Sequence, residues 1–206
     1  MIFLYAIGSL NFARVGLCGE AMSAIASLRL ALAAPALLFA VAAASAKEVP
    51  IGPHMTKNGL EVAAVYLQPI EMDPPDMMRP AAQSDIHLET DIRAAKDNRN
   101  GFAEGDFVPA LAVRFTVVKL DGDKPTDQKA EGALMPMVAN DGPHYGDNVK
   151  LFGPGRYRLT VFVAPPGKGS HFGRHVDKET GVGPWFEPFD MTQDFTFAGT
   201  GKKGSY

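Results

Sequence analysis

From residue 47 onward, apolar side chains recur at every second position in short runs. No stretch holds a 3.6-residue apolar period long enough for a core helix. The runs are LEVAAVYLQPI from Leu60, DIHLETDIRAA from Asp85, PALAVRFTVVKL from Pro109, EGALMPMVA from Glu131, YRLTVFVAP from Tyr157 and FDMTQDFTF from Phe189. β-branched and aromatic residues are frequent in them, and Gly and Pro punctuate the intervals, which is the pattern of an antiparallel β-sandwich. One or two further strands are expected without a signal of their own.

Turn chemistry falls between the runs. DGDKPTD, Asp121 to Asp127, resembles a calcium loop in its acids but lacks that motif's Gly at position six and Glu at position twelve, so it reads as a hairpin turn. GPGRY at 153 to 157 reads as another turn. The segment Pro165 to Trp185 is long and irregular, and loops of that length inside a folded domain are usually functional or disordered. Its GKGS lacks the upstream Gly of a phosphate-binding loop. WFEPF, with Trp185, Phe186 and Phe189, is expected to anchor the core or a dimer interface.

The first 46 residues differ from the rest. LALAAPALLFAVAAASA, Leu30 to Ala46, is uncharged, follows Arg29 and ends in the small-x-small pattern that signal peptidase cuts. Counted from Met22 the segment has the length of a secretory signal, so the expectation is a start at Met22, cleavage after Ala46 and one exported domain over 47–206. An uncleaved anchor is the alternative, although 17 residues is short for a membrane span.

Composition narrows the function. Of the 206 residues 46% are hydrophobic, enough for one ordinary core. The net charge of -3 offers no basic surface, which argues against nucleic acid as a partner. Cys18, the only cysteine, precedes the expected cut, so the exported chain has neither disulfide nor thiolate and would hold metal through His, Met, Asp and Glu. Thiol catalysis is excluded, and no nucleophile-elbow signature is present.

The five histidines are therefore informative. Alternation in DIHLETDI sends Ile86, Leu88 and Ile92 to one face and His87, Glu89 and Asp91 to the other, where His87 and Glu89 could address one ion or two adjacent ions. A merely solvated polar face gives the same pattern. Met135 and Met137 share a face of their run. Met135 reads as core filler, whereas the turn at Asp141-Gly142-Pro143 brings His144 back toward Met137. A thioether beside an imidazole suits copper better than magnesium or calcium. In SHFGRHVD, one of His171 and His175 is expected to point at the site; His54 is assigned to exposed surface.

KEVPIG, NGLEVAAVYLQPIEM, DIHLETDI, NGFAEGDFVP, LMPMVANDGPHYGDN and GRHVDKETGVGPWFEPF together resemble the periplasmic high-affinity iron-uptake proteins that bind copper and work beside a membrane iron permease. The similarity runs from about Lys47 to Gly199. It implies an immunoglobulin-like β-sandwich, a homodimer with metal near its interface, copper and iron as bound ions, and an inner-membrane iron permease as partner. It also implies copper ligation by His87, Met137, His144 and His175, with Glu89 at a second or alternative metal position. Where some relatives carry two acids before GPH this chain has Asn140-Asp141, which leaves an acidic iron position at Asp141 open. The expected role is binding and delivery rather than catalysis. A copper-dependent ferrous oxidase and a periplasmic copper chaperone are the rivals, and a metal-free interaction module is the plainest alternative.

Overall fold

A computed structural model describes residues 47–202 and 206; the expected signal segment, its Met22 start and the cut after Ala46 lie outside them. The strands in chain order are β1 (Val49–Pro50), β2 (Met55–Lys57), β3 (Leu60–Leu67), β4 (Ile86–Ala94), β5 (Ala112–Asp121), β6 (Lys124–Ala139), β7 (Gly142–Val149), β8 (Gly155–Ala164) and β9 (Phe189–Phe197). All pairings between them are antiparallel, in the order β1-β3-β4-β7-β6-β5-β8-β9, with β2 also on β3.

The sixteen-residue β6 belongs to both layers of the sandwich. Its first part, Lys124 to Leu134, pairs with β5, and its last part, Met135 to Ala139, pairs with β7. One layer is thus β1 and β2, β3, β4, β7 and the end of β6; the other is the start of β6, β5, β8 and β9. Alternation decides what lies between them. Leu60, Val62, Ala64 and Tyr66 of β3 face Tyr157, Leu159, Val161 and Val163 of β8 and Phe195 and Phe197 of β9 across one buried core. The Tyr66 ring sits 5.6 Å from Phe195 and 6.1 Å from Phe197, stitching the layers together. Each such aliphatic or aromatic side chain contributes about 1.5–3 kcal/mol by leaving water.

Asp121-Gly122-Asp123-Lys124 closes the β5–β6 hairpin with Gly122 at φ 59°, the left-handed conformation such a turn needs, so the acid-rich DGDKPTD is a turn. Two irregular segments rise beside the first layer: residues 68–85 between β3 and β4, and 95–111 between β4 and β5. A third, 165–188, joins β8 to β9. The second is clamped from below by Tyr145, which is fully buried, donates its hydroxyl to the Val108 carbonyl at 2.8 Å and accepts from the Leu111 N–H at 2.9 Å.

Candidate metal site

The site is built where β4, β7 and the end of β6 lie side by side. The turn at Asn140 and Asp141 folds β7 back on β6, so that Met137 faces His144 across the ladder and Met135 faces Gly146. On the other side of β7, Glu89 is paired with Gly146 and His87 with Asn148. Three adjacent strands therefore carry their polar side chains to one face. Pro143 fits because the β4 partner of β7 extends only from Val149 to Tyr145, so no ladder donor is lost on that side.

His87, Glu89 and His144 are buried, and their ligand atoms all lie within 4.8 Å of one another. Two donors bound to one ion at 2.0–2.1 Å sit at most about 4 Å apart, so an adjustment of roughly an ångström closes the group. The imidazoles stand edge to face, with ring centroids 6.1 Å apart. Gly146 explains how Met137 joins them. A methyl group there would stand 2.6 Å from His87 Nε2 and 3.1 Å from Met137 Sδ, so the ring nitrogen and the thioether converge on the space that glycine leaves open.

The His87 imidazole is oriented by a partner. The side-chain amide of Asn148 donates to the carbonyls of Ile70 (2.8 Å) and Arg79 (2.9 Å), which fixes its oxygen as the acceptor. That oxygen takes the Ile70 N–H at 3.2 Å and lies 3.0 Å from His87 Nδ1, which must therefore carry the proton. The lone pair is then on Nε2, which is buried, has no hydrogen-bond partner and faces the cavity. Imidazoles that bind metal are held in this way, by the second ring nitrogen. The His144 ring has its Nε2 3.4 Å from Glu89 Oε1, on the same side as His87 Nε2.

Electrostatics leaves the nitrogens free. Glu89 Oε1 is 3.6 Å from His87 Nε2 and 3.4 Å from His144 Nε2, within ion-pair range, yet burial opposes charge on all three. Burial pushes His87 down to about 4, against the Asn148 hydrogen bond, and lowers His144 as well. Burial, then the carboxylates of Glu48, Asp141 and Asp91, lift Glu89 to about 7. At neutral pH the two histidines are uncharged and ready to donate, and no ion pair with Glu89 forms.

The cavity above this group measures about 930 Å³, and its wall includes Glu48 and Asp141. Burial first and the neighbouring Asp141 carboxyl second raise Glu48 above the usual carboxylate range. Glu48, Gly146 and Asn148 escaped the sequence reading. Glu48 immediately precedes the two-residue β1, where no pattern marks it, and the other two lie in β7, whose GPHYGDNV looks like turn residues.

His175 is not brought to this group within the chain. It lies on the 165–188 segment with its side chain 76% exposed, beside a smaller surface cavity lined by Phe102, Phe172 and Trp185. It too is oriented. Thr180 gives its hydroxyl proton to Asp177 Oδ2 (2.8 Å), so its oxygen accepts from His175 Nδ1 (2.8 Å), leaving Nε2 as a lone pair facing solvent. His171, in the left-handed conformation, and His54 are both exposed and apart from the cluster. Among the described residues no helix is long and apolar enough to cross a membrane.

The sequence profile of the Fe2+ transport protein family matches residues 45–199. A UPF0423 protein of Brucella abortus is 61% identical over 178 residues, covering 85% of this chain and 96% of its own length. The 34 kDa membrane antigen of Treponema pallidum is 40% identical over 71% of this chain and 72% of its own length. Among solved structures, FetP of uropathogenic Escherichia coli strain F11 has 48% identity and a TM-score of 0.68, covering 74% of this chain and 97% of FetP. Copper-reconstituted P19 of Campylobacter jejuni has 48% identity and a TM-score of 0.69, covering 76% and 99%. With the sandwich, the buried histidine pair and this match over most of its length, the chain belongs to the Fe2+ transport protein family.

Proposed function

We propose that this is a periplasmic metal-binding protein of iron uptake that holds copper through His87, Met137 and His144, takes iron at or beside Glu89, and supplies iron to an inner-membrane permease. The observation that carries the reading is a buried, neutral imidazole pair, with His87 held in one orientation by Asn148, sharing one space with a thioether. Two imidazoles and a thioether accept either copper oxidation state without a thiolate, and the Glu89 carboxylate is the harder donor that iron prefers. P19 reconstituted with copper and a copper-bound Glu-to-Gln variant of FetP have been solved. The exported domain over 47–206, released by cleavage after Ala46, follows from the N-terminal pattern.

His175 completes the copper site from a second copy of the chain in this reading. Its oriented but exposed Nε2 is flanked by Phe172, 37% exposed, and Val176, 72% exposed. Val138, 78% exposed, stands next to Met137 at the rim of the large cavity. Two apolar patches, one beside each half of a ligand set, suit a two-fold dimer in which each loop covers the partner's cavity.

Crystals soaked separately with copper and with iron, read by anomalous scattering at each metal edge, test the proposal. Copper density between His87, Met137 and His144, with iron within reach of Glu89, is expected. Copper bound elsewhere, or scattered over surface histidines, would overturn it. A carrier turns over ferrous iron at most stoichiometrically with bound copper; repeated oxygen consumption would instead identify a ferrous oxidase.

A further inference from the structure

The segment between β3 and β4 reads QPIEMDPPDMMRP, Gln68 to Pro80, and places three methionines in a loop almost wholly outside the core. Met77 is 50% exposed, although methionine gains about 1.5–3 kcal/mol from full burial, so packing does not account for its position. The loop is nonetheless fixed. Asn148 grips the Ile70 backbone at one end and the Arg79 carbonyl at the other, clipping the span that carries Met72, Met77 and Met78 to the strand that bears His144.

Met72 and Met77 of the loop line the 930 Å³ cavity, and so does Met135, half-buried on β6. Met77 also borders the two neighbouring surface cavities, so it stands where all three meet. Deeper in the same space lie Met137 and the unpartnered Nε2 of His87. Three exposed or half-buried thioethers thus line the same cavity as a buried imidazole, thioether and carboxylate group.

We propose that Met72, Met77 and Met135 form a separate soft-metal site that captures Cu(I) at the mouth of the cavity, outside the His87, Met137 and His144 group. Glu71 and Asp73 flank Met72 on the same wall, but a set of three thioethers favours monovalent copper over Fe(II) or Cu(II), and methionine's three rotatable bonds let exposed side chains close around an ion and release it inward. The ion stays Cu(I) throughout, moving by ligand exchange with no electron transferred. The site goes beyond the proposed function and rests only on the loop and cavity geometry.

The test uses Ag(I), a redox-inert probe of Cu(I) sites, on purified protein carrying 13C-methyl methionine. Native mass spectrometry is expected to find two silver ions per chain in the natural protein and one in the Met72→Leu, Met77→Leu double variant. The methyl resonances of Met72, Met77 and Met135 should shift on silver addition, including in a His144→Ala variant. Response of Met137 alone, or an unchanged silver count in the double variant, would overturn the proposal. Cu(II) binding by the double variant is expected to match the natural protein; if the natural protein binds no Cu(II), the inner-site reading fails while the silver count still reports on the methionines.

Discussion

The side-chain oxygen of Asn148 lies 3.0 Å from Nδ1 of His87, and the same amide holds the backbone of Ile70 and Arg79. One buried residue thus sets the tautomer of an imidazole and the position of a loop.

Replacing Asn148 with Leu removes the acceptor that keeps the proton on Nδ1 and leaves buried loop groups unpaired, at about 1–3 kcal/mol for each that water cannot reach. Copper affinity is expected to fall by about 10- to 100-fold, as when other orienting partners of metal-bound imidazoles are lost. Competition against a chelator measures the affinity, and 15N spectra of the His87 ring report the tautomer. A variant with weakened affinity but an unchanged tautomer would mean that Asn148 acts through the loop alone.

Gly146 makes a sharper test of convergence. In Gly146→Ala the new methyl would stand 2.6 Å from His87 Nε2 and 3.1 Å from Met137 Sδ, and Asn148 prevents the ring from simply swinging away. Overpacking of this kind costs about 1–3 kcal/mol. The expected result is a folded protein with a lower melting temperature and no tight copper site. Copper binding at full strength would show that the two donors do not share an ion.

Much of this architecture was readable from alternation, and the exceptions have one cause. β3, β5, β8 and β9 are half-buried strands whose inward residues are apolar, so their period is visible. β7 is a central strand whose turn-forming composition is overridden by pairing on both sides, and it carries His144, Gly146 and Asn148. The polar face of β4 was legible as alternation, but alternation cannot distinguish a solvated face from the floor of a cavity; only the packing of β7 and the 68–85 segment buries His87 and Glu89. Convergence of His87, Met137 and His144 was reached through resemblance, because β4 and β6 are far apart in sequence. Glu48 could have been found only through the fold, which brings it to the same cavity as Asp141.

His175→Ala is expected to weaken copper binding without lowering the melting temperature of the metal-free protein, since its side chain is 76% exposed. Complementation identifies the chain it serves. A mixed dimer of His144→Ala and His175→Ala protomers combines both defects in one site and leaves the other intact if His175 crosses the interface. One tight copper per mixed dimer is expected. No recovery in isolated mixed dimers would place His175 in its own chain's site, and a His175→Ala homodimer that binds copper at full strength would place it outside the site altogether.

Protonation of Glu89 gives a final test with a definite sign. Its folded value of about 7 lies above the ordinary 4.5, while His87 at about 4 lies below the ordinary 6.5. Between pH 4.5 and 6.5 the folded chain holds one proton on Glu89 where the unfolded chain holds one on His87, so this pair leaves stability flat there. Below pH 4.5 the unfolded chain takes up a second proton and stability falls, and His144, also depressed, adds to the loss as pH drops through 6.5. Between 6.5 and 7 only the folded chain keeps its proton, so rising pH is unfavourable across that narrow window. A cation bound beside Glu89 favours the carboxylate and expels its proton, whereas the neutral imidazoles release none. Copper binding at pH 6 should therefore liberate close to one proton, and at pH 8.5 almost none, measured by calorimetry in buffers of different ionisation enthalpy. In Glu89→Gln the pH 6 release should vanish while copper still binds. Equal release at both pH values, or release that survives the substitution, would remove Glu89 from the metal's immediate surroundings.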